Sequence, residues 1–80
     1  MGLFVEPTHK LDVLGHYCPV PVNQARNALQ KLKPGEILLV VADDPETTHD
    51  IPLLVNRMGH NLLVTLEDSG EFHYTIEVKQ

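Results

Sequence analysis

The sequence predicts an α+β fold: a two-layer sandwich in the order β-α-β-α-β-β, with both helices on one face of a four-stranded sheet. Three observations carry that prediction. Apolar residues recur at helical spacing twice, over residues 22–32 and 51–58. An unbroken aliphatic run from Ile37 to Ala42 has strand length, and Phe72, Tyr74, Ile76 and Val78 alternate with His73, Thr75, Glu77 and Lys79. Two helices cannot cover both faces of four strands, and a terminal hairpin with one polar face needs only one covered.

Taken in order, residues 1–8 carry few signals apart from Pro7 and read as a tail. Residues 10–14 alternate polar and apolar with Leu11 and Val13 on one face, a short strand ended by Gly15. From Pro19 onward Val22, Ala25, Leu29 and Leu32, with Ala28 alongside, form one face of an amphipathic helix. Pro34-Gly35 stops it, and Lys31 and Lys33 favour its negative end. The aliphatic run that follows predicts an interior strand covered on both faces.

Asp44 is a natural N-cap with Pro45 at the first helical position, and Ile51, Leu54, Val55 and Met58 supply the buried stripe of a second helix. Pro52 conflicts with that stripe, because a helix-interior proline costs ~3 kcal/mol. Either the helix kinks there, or residues 44–49 form a separate turn and Asp50 caps the main helix. Gly59 closes it. Leu62, Val64 and Leu66 then alternate with Leu63, Thr65 and Glu67, and a polar turn over residues 67–71 joins this strand to the last in an antiparallel hairpin. The 80 residues hold no repeat and no dividing linker, so the expectation is a single domain over residues 1–80.

Composition narrows the function classes. With 42% apolar and 21% charged residues the chain is globular in character. A net charge of -5 with only six Lys and Arg counts against direct nucleic-acid binding, and no apolar run approaches the ~20 residues of a membrane span. The first residues lack the length and basic flank of a signal peptide, so the expected location is cytoplasmic. One cysteine makes neither an internal disulfide nor a multi-cysteine zinc framework, and the expected cofactor and metal content is none.

That cysteine, Cys18, follows a Gly15 turn and precedes Pro19 and Pro21 at the start of the first helical pattern. A lone cysteine is often a buried filler, but a strand-to-helix bend sits at the surface. With the helix starting at Pro19, Cys18 lies at or beside the N-cap, where the dipole and free amides favour a thiolate. The prolines remove two amide donors from that first turn, so the expected thiol is rigidly presented, open and only moderately activated. No second cysteine can resolve an adduct, and whatever Cys18 acquires must pass to another molecule. Persulfide carriage, oxidant sensing, nucleophilic catalysis and no chemistry at all remain open on these grounds. His16 is a candidate to tune the thiol, and a solvated loop histidine is its bland alternative.

The residues Leu11-Asp12-x-x-Gly15-x-x-Cys18-Pro19-x-Pro21, with Pro34-Gly35, Ala42-Asp43-Asp44-Pro45 and Thr47-Thr48-x-Asp50-Ile51-Pro52, resemble the TusA/SirA-like sulfur carrier proteins. The resemblance runs from about Leu11 to Val78. It implies a mixed four-stranded sheet. It also implies that Cys18 accepts sulfane sulfur as a persulfide from a cysteine desulfurase or another sulfur donor protein. A downstream acceptor protein then takes it, as in the relay to 2-thiouridine in tRNA. Relatives serve sulfur oxidation, thiosulfate use, molybdenum cofactor assembly and selenium metabolism. Such a protein is a carrier rather than an enzyme with its own turnover.

This chain departs from the family pattern in charge. His16 and Tyr17 precede the cysteine and Asn23-Gln24 follow it where many relatives are basic, which leaves Arg26 as the main matching cation on the first helix. Tyr17, Pro19, Pro21 and Arg26 are candidate thiol-environment or partner-contact residues, with a solvated helix-face charge the bland alternative for Arg26. A non-covalent regulatory or scaffold module is the rival function. A site built by Cys18 with His9, His16 or His73 is the rival metal reading, although the five histidines show no compact ligand spacing.

Overall fold

The computed structural model describes residues 6–17 and 20–79. Six elements follow in the expected order: β1 (His9–Asp12), α1 (Val20–Lys31), β2 (Ile37–Ala42), α2 (Thr47–Met58), β3 (Asn61–Asp68) and β4 (Glu71–Glu77). The sheet order is β1-β2-β4-β3, with β1 parallel to β2 and the other two pairings antiparallel. It is a mixed four-stranded sheet, as expected.

The core lies between the helices and one sheet face. Leu38, Val40 and Ala42 of β2 and Phe72, Tyr74 and Ile76 of β4, with Val78 beyond it, meet Ala25 and Leu29 of α1 and Ile51, Leu54 and Val55 of α2. Period-two and helical stripes therefore converge on the same layer. Both helices return against the direction of the parallel strands, so they run side by side in the same sense.

The expectation that β2 is covered on both faces needs correction. Its outward residues Ile37 and Leu39 are only half-buried, although Val41 is 4% exposed between its sheet neighbours. No helix lies over that side among the described residues, because both pack on the other face. The first strand is shorter than residues 10–14, yet Val13 continues its pairing by donating its N–H to the Val41 carbonyl at 2.8 Å, and it is fully buried.

The second helix runs through Pro52, so the alternative in which residues 44–49 form a separate turn and Asp50 caps the main helix does not hold. It starts at Thr47, after Glu46, whose side chain makes no capping bond, so neither Asp44 nor Asp50 is its N-cap. A tight turn precedes it, in which the Thr47 N–H donates to the Asp44 carbonyl at 3.0 Å and the Asp44 carboxylate accepts the Glu46 N–H at 3.1 Å. Asp50 and Pro52 are both inside the helix. Gly59, at φ 79, ends it, and the His60 N–H reaches back to the Val55 carbonyl.

The largest departure is in β3. Leu62 pairs with Ile76, but the next partners are Val64 with Thr75 and Leu66 with His73, so a bulge intervenes between Leu62 and Val64. One extra residue reverses the alternation. Leu62 faces the helices, whereas Val64 and Leu66 lie on the open face with Thr75 and His73, and Leu66 is 58% exposed. The three do not share a face as the alternation predicts. The hairpin closes through Ser69 (φ 53) and Gly70 (φ 87), the two left-handed positions of a tight two-residue turn.

Candidate functional site

The β1–α1 connection is built from the end of the parallel pair. Asp12, the last residue of β1, accepts the Leu14 N–H through Oδ1 at 2.9 Å, and the His16 N–H donates to the Val13 carbonyl at 3.2 Å. This closes a turn with Leu14 and Gly15 at its centre, and Gly15 at φ 80 occupies the position that favours glycine in a type II turn. The outward Gly15 N–H is captured by both carboxylate oxygens of Asp43, at 3.1 and 3.2 Å. The loop approaching the cysteine is therefore tied to the end of its own strand and to the β2–α2 connection.

Of the sequence-predicted site residues, Cys18 and Pro19 lie outside the described residues. Their neighbours are exposed: Tyr17 at 74% and Val20 at 38%, with the Val20 N–H bonded to the Tyr17 carbonyl at 2.9 Å. His16 is exposed as well. Pro21 departs from its expected place. It is among the fully buried side chains, the second residue of α1 packed into the core, so it is no surface for a partner and serves instead to seat the helix start. The described part of α1 runs from Val20, and the expected start at Pro19 falls outside the described residues.

Arg26 is on the exposed side of α1, where it lines a groove with Arg57 and Leu53 of α2. Sequence reasoning passed over Arg57 and Leu53. Their i, i+4 spacing on the rim of the α2 stripe was visible, but nothing local says which rim of α2 faces which rim of α1.

Beneath the β2–α2 connection lies a buried polar chain. The Thr47 hydroxyl donates to the Asp44 carbonyl at 2.6 Å and lies 2.8 Å from the Tyr74 hydroxyl. Burial pushes the Tyr74 phenol above its ordinary value, a rise opposed by the Thr47 hydrogen bond and reinforced by the Asp44 charge. Tyr74 is thus a packed ring with a satisfied polar tip. It anchors the segment that presents Asp43 to the loop.

The histidines are dispersed. His9 Nδ1 meets the Thr8 hydroxyl, His60 Nδ1 accepts the Lys79 N–H, and His73 Nε2 lies 3.3 Å from the Glu71 carboxylate. Among the described residues no three His, Cys, Asp or Glu side chains come together in a metal-holding group. No helix there is long and apolar enough to cross a membrane.

Residues 9–78 match the family model described as sulfurtransferase TusA. Among solved structures, the chain is similar to a SirA-like protein from Desulfitobacterium hafniense. The two share 28% sequence identity with a TM-score of 0.79, over 90% of this chain and 99% of that one.

Proposed function

The chain belongs to the TusA family, whose general role is sulfur transfer between proteins, and we propose that its transferring group is the Cys18 thiol. The observation that carries this reading is the double tether of the loop leading to Cys18, through Asp12 and Asp43, with exposed Tyr17 and Val20 on either side of residues 18 and 19. A held loop with open flanks suits a thiol that must meet one protein and then another. Cys18 is also the chain's sole cysteine.

In the proposed cycle the Cys18 thiolate attacks the outer sulfur of a persulfide on a cysteine desulfurase. The donor's S–S bond breaks, its thiolate leaves, and Cys18 holds the persulfide. An acceptor thiolate then attacks the outer sulfur and releases the Cys18 thiolate. No external electrons are required, and the missing second cysteine makes an acceptor protein obligatory. A relay of this kind toward 2-thiouridine in tRNA, in the reducing cytoplasm, is the pathway we assign. Thiosulfate or sulfur oxidation, molybdenum cofactor and selenium routes are its competitors. His16, Tyr17 and Pro19 border the thiol in this reading as its neighbours in sequence.

Mass spectrometry of the protein after incubation with a desulfurase and cysteine tests the reading. One sulfur atom is expected on the peptide containing Cys18, and none on Cys18→Ser. If neither a desulfurase nor polysulfide ever loads Cys18, the carrier reading fails. Full biological activity of Cys18→Ala would favour a non-covalent scaffold instead.

A further inference from the structure

The groove between the helices holds a charge arrangement that the fold does not need. Its volume is about 250 Å³, below the ~300 Å³ at which small-molecule pockets usually begin. The buried Leu54 and half-buried Val22 form its floor, and Leu53, 50% exposed, stands as an apolar wall. Arg26 and Arg57 supply two guanidinium groups, a third of the chain's six Lys and Arg in a protein of net charge -5. Both are exposed, and neither makes an ion pair among the described residues, where the recorded pair is His73 with Glu71.

Because α1 and α2 run in the same sense, residue order sets the layout. Arg26 comes six residues after the start of α1 at Val20, about 9 Å along the axis at ~1.5 Å per residue. Arg57 lies near the end of α2, and Asp50, in its first turn, lies toward the opposite end of the groove. One end is thus cationic and the other, nearer the start of α1, is acidic. Two cations without an ion pair among the described residues, beside an exposed leucine, are complementary to a carboxylate next to an apolar side chain. The groove is too small and open to enclose a free metabolite, and it suits side chains presented by a chain segment.

We infer that this groove is a docking surface for an acidic, partly apolar segment of a protein partner. Arg26 and Arg57 hold its carboxylate, and Leu53 and Val22 take its apolar residue. The inference rests on the carrier reading only for what the partner does, since the binding itself needs no sulfur. Docked this way, the partner extends along α1 toward the Cys18 loop.

The test is an amide NMR titration of the full chain carrying Cys18→Ala, which removes thiol chemistry from the readout. The probe is the capped peptide Glu-Leu-Glu-Glu-Leu, compared with its lysine counterpart and with an oligouridine. Saturable shifts are expected at Val22, Asn23, Arg26, Leu53 and Arg57 with the acidic peptide and not with the lysine one, weakening as salt rises. Arg26→Gln with Arg57→Gln should weaken binding by roughly tenfold or more, and Leu53→Ser should weaken it with both arginines intact. All three residues are exposed, and the remaining amide spectrum reports retention of the fold. The inference is overturned if the acidic peptide does not saturate, if binding survives the double substitution, or if the oligouridine occupies the groove in preference. None of these outcomes alters whether Cys18 loads sulfur, so the two readings fail separately.

Discussion

The Asp43 carboxylate accepts the Gly15 N–H through both oxygens, at 3.1 and 3.2 Å, across 28 residues of sequence. This contact joins the β1–α1 loop to the β2–α2 connection, two segments that the parallel pairing of β1 and β2 brings to the same end of the sheet. Asp43→Ala removes the acceptor without touching the core. The expected result is faster hydrogen exchange at the Gly15 amide and slower persulfide loading of Cys18, with a stability loss of about 1 kcal/mol, since the bond is solvent-exposed. Unchanged exchange at Gly15 would show that the tether does not hold the loop.

Gly15 itself gives a second prediction. An added Cβ would meet nothing within 4 Å, so Gly15→Ala suffers no clash and pays only for its φ of +80. The expected loss is about 1 kcal/mol by chemical denaturation. Gly15→Asn should lose less, because asparagine tolerates the left-handed region.

Tyr74 gives a pH dependence. Its phenol is held above the ordinary 10.0, first by burial. Below about pH 10 both folded and unfolded chains keep that proton, and its contribution to stability is constant. Above it the unfolded chain releases the proton while the folded chain retains it, so stability falls as pH rises toward the folded value. Tyr74→Phe should flatten this alkaline decline in denaturation curves. At neutral pH it should cost about 1 kcal/mol for the lost partner of Thr47, whose hydroxyl still donates to the Asp44 carbonyl.

The bulge in β3 is tested by contrast. Leu66, on the open face, should tolerate Leu66→Thr within about 0.5 kcal/mol. Leu29→Ala, in the packed layer between α1 and the sheet, should cost about 2–5 kcal/mol. A large loss at Leu66 would mean that β3 keeps an unbroken alternation with Leu66 turned inward.

Much of the fold was legible because the signals are local. The α1 stripe of Ala25 and Leu29, the inward run of Phe72, Tyr74, Ile76 and Val78, and the Gly59 stop all follow from periodicity and backbone preference, and the structure places each of them as read. The motif around Cys18 carried the family in the same way. Local signals misled where two rules competed. Asp44-Pro45 reads as a helix start, yet the buried Thr47 hydroxyl, bonded toward Tyr74 and Asp44, moves the first helical residue to Thr47.

By itself, then, the sequence determined the order of the elements, the core-facing stripes of both helices and of β4, and the motif that carries the family, since each is written within one turn or one strand. Only the tertiary structure decided the Asp43–Gly15 tether, the reversal of β3 after Leu62 and the meeting of Arg26 with Arg57. Those depend on cross-strand register and on which helix rims adjoin. Such relations hold between residues far apart in the chain, and no local period records them.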